Sequence, residues 1–173
     1  SFVAWVSRQS GDSGWIVGQA ADESAGEDPF LDGWARLFTG TDSSGSETIG
    51  VTNKVSFYIP SPTTSASDAL LVTETDTLPE DTWALYVVSV SYDSSTSQTT
   101  ATLYRNDVQV GQVTKNVEYV NPSAGPIHIG IRSDDEDMAF EGIIDDIQIF
   151  DGALSAANVA EIFAFSDTCD PNP

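Results

Sequence analysis

Apolar and polar residues alternate with a period of two in short segments, separated by turns rich in Gly, Ser, Thr and Asp, which is the pattern of β-strands. Residues 1–7 (SFVAWVS) put Phe2, Ala4 and Val6 on one face and Val3 and Trp5 on the other. Residues 15–18 and 33–38 predict the next two strands, the latter holding Trp34, Ala35, Leu37 and Phe38. Residues 39–50 read as a loop. Residues 51–59 set Val55, Phe57 and Ile59 against Lys54, Ser56 and Tyr58, predicting a strand with one wet face that Pro60 and Pro62 terminate. A brief strand over 69–72 follows. The most apolar segment, 83–92 (WALYVVSVSY), belongs at the centre of a sheet. Residues 99–105 and 108–113 flank Asn106-Asp107, a pair that tolerates positive φ and so predicts a tight hairpin. Residues 127–131 form another strand and carry the single histidine, His128.

The remaining signal lies in residues 140–165. Alternation over 142–150 places Ile143, Asp145, Ile147 and Ile149 on one face and Ile144, Asp146, Gln148 and Phe150 on the other, so both faces are expected to be largely buried. Asp145 then stands out as an inward carboxylate that needs hydrogen bonds, a proton or a cation. After Asp151-Gly152, residues 154–163 predict a short helix capped by Ser155 or Asn158, with Leu154, Val159, Ile162 and Phe163 laid over a core. The expected fold is all-β, a two-sheet antiparallel sandwich with one short C-terminal helix. It occupies residues 1–165, and 166–173 form a tail or linker. A chain of 173 residues is long enough for one core that removes roughly 70% of the unfolded surface from water. A strand at the first residue suggests a boundary cut tightly out of a larger polypeptide.

The run Phe140-Glu141-Gly142-Ile143-Ile144-Asp145-Asp146-Ile147-Gln148-Ile149-Phe150, followed by Ala153-Leu154-Ser155-Ala156-Ala157, resembles the closing motif of laminin-G-like, concanavalin A-like jelly-roll domains of the bacterial type. Ala4-Trp5-Val6 is similar to an early strand of that family. Trp83, Tyr92-Asp93, Leu103-Tyr104 and Val108 are similar to its central strands, with Asn106-Asp107 replacing the usual Asn-Gly or Asp-Gly turn. Members usually carry one further strand before this first one. The resemblance implies a jelly roll. It also implies one structural Ca²⁺ at the sheet edge, held by the aspartate of the closing strand, here Asp145 or Asp146.

Charge narrows the partners. The formal net charge is −21, with 27 acidic residues against 6 Lys plus Arg, which excludes nucleic acid and disfavours an anionic membrane surface. The acidity reads as a solvated, self-repelling surface of an extracellular protein, or in part as provision for divalent cations. No segment reads as a membrane span. Cys169 is the single cysteine, so it forms no intrachain disulfide. One His and one terminal Cys do not make a zinc site, and His128 lacks an evident nucleophile and orienting partner. Glu141, Asp145 and Asp146 depart from the spacing of paired glycosidase carboxylates, so no enzymatic activity is expected. Calcium is the better-supported chemistry: the acidic loop with Asp134 and Asp137 feeds the strand bearing Glu141, Asp145 and Asp146. For sugars, Trp15 and Trp34 flank an acidic loop with Asp28 and Asp32, where indole rings stack and carboxylates accept hydroxyl hydrogens, and Tyr58 adds a further ring. Trp5 and Trp83 read as core. The expected function is Ca²⁺-supported binding of a polysaccharide or glycan by an accessory module of a secreted or cell-surface protein. The alternative is a protein-binding adhesion module, and a glucanase-like hydrolase ranks third.

Overall fold

The computed structural model describes residues 1–9, 14–19, 35–44, 47–61, 68–119, 125–131 and 139–167. Ten strands and one helix run in the order β1 (Phe2–Arg8), β2 (Gly14–Gln19), β3 (Arg36–Ser44), β4 (Glu47–Ile59), β5 (Leu70–Thr73), β6 (Trp83–Asp93), β7 (Gln98–Arg105), β8 (Val108–Lys115), β9 (Ile127–Ile129), β10 (Gly142–Ile149) and α1 (Ala156–Asp167). They form two five-stranded antiparallel sheets. Sheet I has the order β10-β1-β6-β7-β8, and sheet II has the order β5-β4-β3-β2-β9. The expected jelly-roll sandwich is the observed architecture.

The main core lies between the sheets. Phe2, Ala4 and Val6 of β1 meet Val55, Phe57 and Ile59 of β4 there, as the alternation of each strand dictates. The other face of β1 carries Val3 and Trp5 into a second cluster with Leu85, Val87 and Tyr104, closed by Val159, Ile162 and Phe163 of α1. The helix therefore lids the outer face of sheet I. Both expected caps take part: Ser155 Oγ accepts the Asn158 N–H (3.2 Å), and Asn158 Oδ1 accepts the Ser155 N–H (3.0 Å). Ser89 fixes the approach, since its Oγ donates to the Leu154 carbonyl (2.8 Å) and accepts the Leu154 N–H (2.9 Å).

Three expectations about strands need correction. The loop assigned to residues 39–50 is the β3–β4 hairpin, and β3 runs through it to Ser44. Gly40 and Gly50, both at positive φ, let that ribbon bend. The outer face of β4 is not wet: Ser56 is buried, and Tyr58 packs against the cluster of Trp15, Phe38 and Ile49.

The third correction concerns β10. Opposite Val3 and Trp5 of β1 stand Gln148 and Asp145, so Asp146 and Ile147 together face Ala4 and the strand carries a bulge. Asp146 sits at φ +47°, with its N–H donated to Asp145 Oδ1 (2.8 Å). One extra residue reverses the parity of everything after it. Ile144 and Ile147 face the main core, whereas Asp145 is level with Trp5 on the outer face and is exposed. The inward carboxylate expected from strict alternation is thus turned outward. Asp tolerates the left-handed region and a β-branched residue does not. Asp146→Val is therefore expected to destabilise the fold by about 1–2 kcal/mol in urea unfolding, and Asp146→Gly to leave it unchanged or more stable.

Candidate functional site

The residues on either side of the acidic segment expected to bind calcium lie beside sheet II. The Phe140 N–H donates to the Gly130 carbonyl (2.8 Å), and Ala139 bridges to Trp15, so the chain on either side of residues 132–138 is drawn together. Asp134 and Asp137 lie outside the described residues. Glu141 follows at the entrance to β10, where its carbonyl accepts the Gln9 N–H (2.9 Å), and its side chain is exposed. Asp145 and Asp146 are also exposed, at the bulge about 10 Å along the strand from Gly142. Among the described residues, no group of three or more His, Cys, Asp or Glu is placed to hold a metal ion. Glu141, Asp145 and Asp146 suit a hard cation chemically, but further oxygen donors would have to come from outside the described residues.

The sugar-stacking candidates divide differently. Trp34, Asp28 and Asp32 also lie outside the described residues. Trp15 is 2% exposed and belongs to the Trp15–Phe38–Ile49 cluster, which corrects its expected role as an open stacking surface. The physical reason is a bulge in β2 between Trp15 and Val17. Ile16 and Val17 both enter the main core, and the indole lies on the outer face of sheet II. Across that face the register aligns His128, Gly18, Arg36, Tyr58 and Leu71 on five neighbouring strands. Gly18 is required there, since a Cβ would come within 2.8 Å of the Trp15 ring and 2.9 Å of the Arg36 Cβ. The Arg36 guanidinium carbon sits 5.5 Å from the Trp15 ring centre and 4.5 Å from that of Tyr58, so this cation already occupies a face of both rings. Tyr58 is half-buried.

Trp83 is the residue that sequence reasoning misplaced. Its parity sets it with Leu85 and Val87 on the outer face of sheet I, but it is 44% exposed while they are buried. Helix α1 covers Leu85, Val87 and Trp5, where Phe163 stacks on Trp5 at 6.0 Å and 28°, and it stops short of Trp83. Across Ser7, which is buried, Ile143 lies on the same face and is 51% exposed. The next rows of the register place Glu80 beside Arg8, Gly142 across Arg8, and Asp145 across Trp5. An exposed indole thus stands on the outer face of sheet I, on the face that also carries exposed Ile143 and Asp145, with exposed Glu141 at the entrance to β10, while the Glu80 carboxylate pairs with Arg8 Nη2 (3.5 Å) instead. Its exposure could have been anticipated from position alone: Trp83 is the first residue of its strand, where a covering element must extend beyond the sheet to reach it.

The sequence reading also overlooked Glu74. This carboxylate is 2% exposed and joins the two sheets. Oε1 accepts the Val55 N–H of sheet II (2.7 Å), and Oε2 accepts the Tyr86 hydroxyl (2.9 Å) and Arg105 Nη1 (3.1 Å) of sheet I. Burial pushes its carboxyl above the ordinary value, opposed by the Val55 N–H, the Tyr86 hydroxyl and the Arg105 and Lys54 charges. The Tyr86 hydroxyl is pushed up by its own burial and by the Glu74 charge. With three hydrogen bonds drawn from both sheets, this cluster acts as a structural clasp.

Solved structures that share the fold include a pentraxin and a domain of an arabinanase. The native heptameric SAP-like pentraxin from Limulus polyphemus superposes with a TM-score of 0.60 at 15% identity, over 94% of this chain and 68% of the other. Domain 4 of AbnA, a GH43 extracellular arabinanase from Geobacillus stearothermophilus, solved in complex with arabinotriose, gives 0.58 at 18% identity, over 93% of this chain and 64% of the other. The chain spans about two thirds of the length of each. No curated protein matches it. Residues 1–160 match the laminin-G-type model of the concanavalin A-like lectin/glucanases superfamily, and the chain belongs to that family.

Proposed function

We propose that this domain is a carbohydrate-binding accessory module of a secreted or cell-surface protein, supported by Ca²⁺ and without catalytic activity of its own. The observation that carries the reading is Trp83. A sugar ring presents a C–H face that stacks on an exposed indole, while its hydroxyls donate to carboxylates at the margin, for which Glu141 and Asp145 of the same side of the sheet are the candidates. A domain of the same fold solved with arabinotriose supports a glycan ligand. Trp34, with Asp28 and Asp32 of the acidic segment before it in sequence, is proposed as a second sugar contact. For the cation, Asp134, Asp137 and Glu141 are the proposed ligands, with Asp145 and Asp146 as further oxygen donors on the same strand. A bound Ca²⁺ would neutralise part of an acidic edge and fix the loop beside it.

The test is a glycan array run with calcium and repeated after chelation. Trp83→Ala is expected to weaken binding by about tenfold or more while leaving the unfolding free energy within about 0.5 kcal/mol of the parent, as for an exposed side chain. Binding to no sugar in either condition would sink the carbohydrate reading. An unchanged melting temperature on chelation, with no metal found by elemental analysis, would sink the calcium reading.

A further inference from the structure

Beyond the N-terminal end of α1 the outer face of sheet I changes character. The helix is entered beside Ser89, where Leu154 is held, and runs toward Trp5, where Phe163 stacks, so its cover falls on Leu85, Val87 and Tyr104. Past Ser89 the outward residues of β7 and β8 stand in rows: Thr102 is level with Gln112, Thr100 with Thr114, and Gln98 lies beside Asn116. Their parity is fixed by Ala101 and Leu103, which point the other way into the main core. Each row is bonded across the strands. Gln112 Nε2 donates to Thr102 Oγ1, the Thr100 and Thr114 hydroxyls share a hydrogen bond, and Gln98 Nε2 donates to Asn116 Oδ1, all at 2.9 Å. None of these side chains is charged, in a chain of 27 acidic residues and net charge −21. Asp93, level with Gln98, is the acid at the far end, and its carboxylate accepts the Ser95 N–H and the Ser95 and Thr96 hydroxyls of its own turn. Both strands fall within the unbroken run of described residues 68–119, and β6 separates them from β1.

We propose that this face is a further carbohydrate contact, separate from Trp83, that lies flat on the surface of an uncharged, insoluble polysaccharide. The inference rests on the carbohydrate reading above and names a substrate class for it. Hydroxyls and amides both donate and accept, so the rows match a ligand rich in hydroxyls. Charge points to a neutral one: an anionic polymer is repelled by the chain as a whole, and a cationic one finds no free carboxylate among these rows. The cross-strand bonds hold the side chains in place before a ligand arrives, which lowers the ordering cost of binding. The rows repeat about every 6.8 Å along the strands and about 4.8 Å across them, a periodic array for a periodic partner. With no aromatic ring among them, a single soluble chain gains little over water, whereas chains packed side by side in a solid engage all the rows at once.

The test measures depletion of the whole domain from solution by washed suspensions of cellulose, chitin, insoluble xylan and insoluble mannan, with an anionic pectate gel alongside and the glycan array for short chains. Saturable binding to at least one neutral solid is expected. Thr114→Glu and Gln112→Glu, both at exposed positions, are expected to weaken it about tenfold or more while array binding is unchanged, with circular dichroism checking that each is folded. Val108→Glu, exposed at the start of β8 and off the rows, is expected to leave binding to the solid unchanged. Binding to none of the neutral solids, equal binding to pectate, displacement by excess serum albumin, or an equal loss with Val108→Glu would overturn the proposal. A silent array beside Thr114-dependent binding to a solid would support this face and count against Trp83. Array binding lost in Trp83→Ala, beside binding to the solid that neither Thr114→Glu nor Gln112→Glu weakens, would overturn this face and leave the Trp83 reading standing.

Discussion

Replacing Glu74 by Ala is expected to lower the unfolding free energy by about 3 kcal/mol, the lower end of the range for breaking a buried ion pair. The substitution leaves the Val55 N–H and the Tyr86 hydroxyl without their acceptor inside the sandwich. Arg105 suffers less, because its side chain is 22% exposed and also reaches the Thr77 carbonyl (3.2 Å). Glu74→Gln keeps an oxygen for Val55 and fills the same volume, so about half that loss is expected. The same pair of proteins reports the pH dependence. The folded Glu74 carboxyl lies above its ordinary value of 4.5, so the folded state holds its proton more tightly than the unfolded state does. Its contribution is fully present below 4.5 and is lost as pH rises through the folded value. Urea midpoints measured from pH 4 upward should fall more steeply for the parent than for Glu74→Gln. Parallel curves would show that Glu74 titrates as it does in the unfolded chain.

Phe57→Ala is expected to be at least as damaging, at about 3–5 kcal/mol, because it empties the centre of the main core. Phe57 is fully buried on β4 between Leu37 and Val72, and its ring meets Phe2 of the opposite sheet at 6.1 Å and 52°. The neighbours belong to two hydrogen-bonded sheets and cannot collapse freely into the cavity. Phe57→Leu, which retains most of the volume, should recover more than half of the loss. Equal midpoints for the Ala and Leu variants would show that the sheets close over the gap.

Side-chain alternation made the strands legible wherever one face is buried and the ladder is regular. Residues 1–7 sorted correctly into Phe2, Ala4 and Val6 on one side and Val3 and Trp5 on the other, and the helix was readable from 154–163 with Ser155 as one of two candidate caps, although it runs on to Asp167. The closing strand was legible as a strand, but not in the direction of its aspartates. A single inserted residue at Asp146 changes no composition and leaves the pattern plausible on both readings. The tryptophans failed for a related reason. Trp15 and Trp83 have similar apolar neighbours, and what separates them is cover: Arg36 and Tyr58 enclose one, and the end of α1 leaves the other bare. Cover is supplied by residues distant in sequence. Glu74 was invisible because a buried carboxylate looks like any other acid in an acidic segment until Val55, Tyr86 and Arg105 are seen around it.

The position of β1 also governs when the domain can fold during synthesis. Its Phe2 pairs with Val88 on one side and Ile149 on the other, so β1 is completed only when the much later β10 has been made. At ~5–20 residues per second, the wait for β10 is on the order of ten seconds or more. Until β6 is made, Phe2, Val3, Ala4, Trp5 and Val6 form a five-residue apolar run with neither sheet neighbour, and from then until β10 is made they have only one. Such a run is a natural substrate for a chaperone and, unattended, a seed for aggregation. A charged residue at Val3 or Trp5 would quiet the nascent chain at the expense of the helix-lidded cluster, whereas truncation after β9 would leave the same run without its second partner. Yield in a cell should therefore track the speed at which residues 89–149 emerge more closely than the equilibrium stability of the finished sandwich.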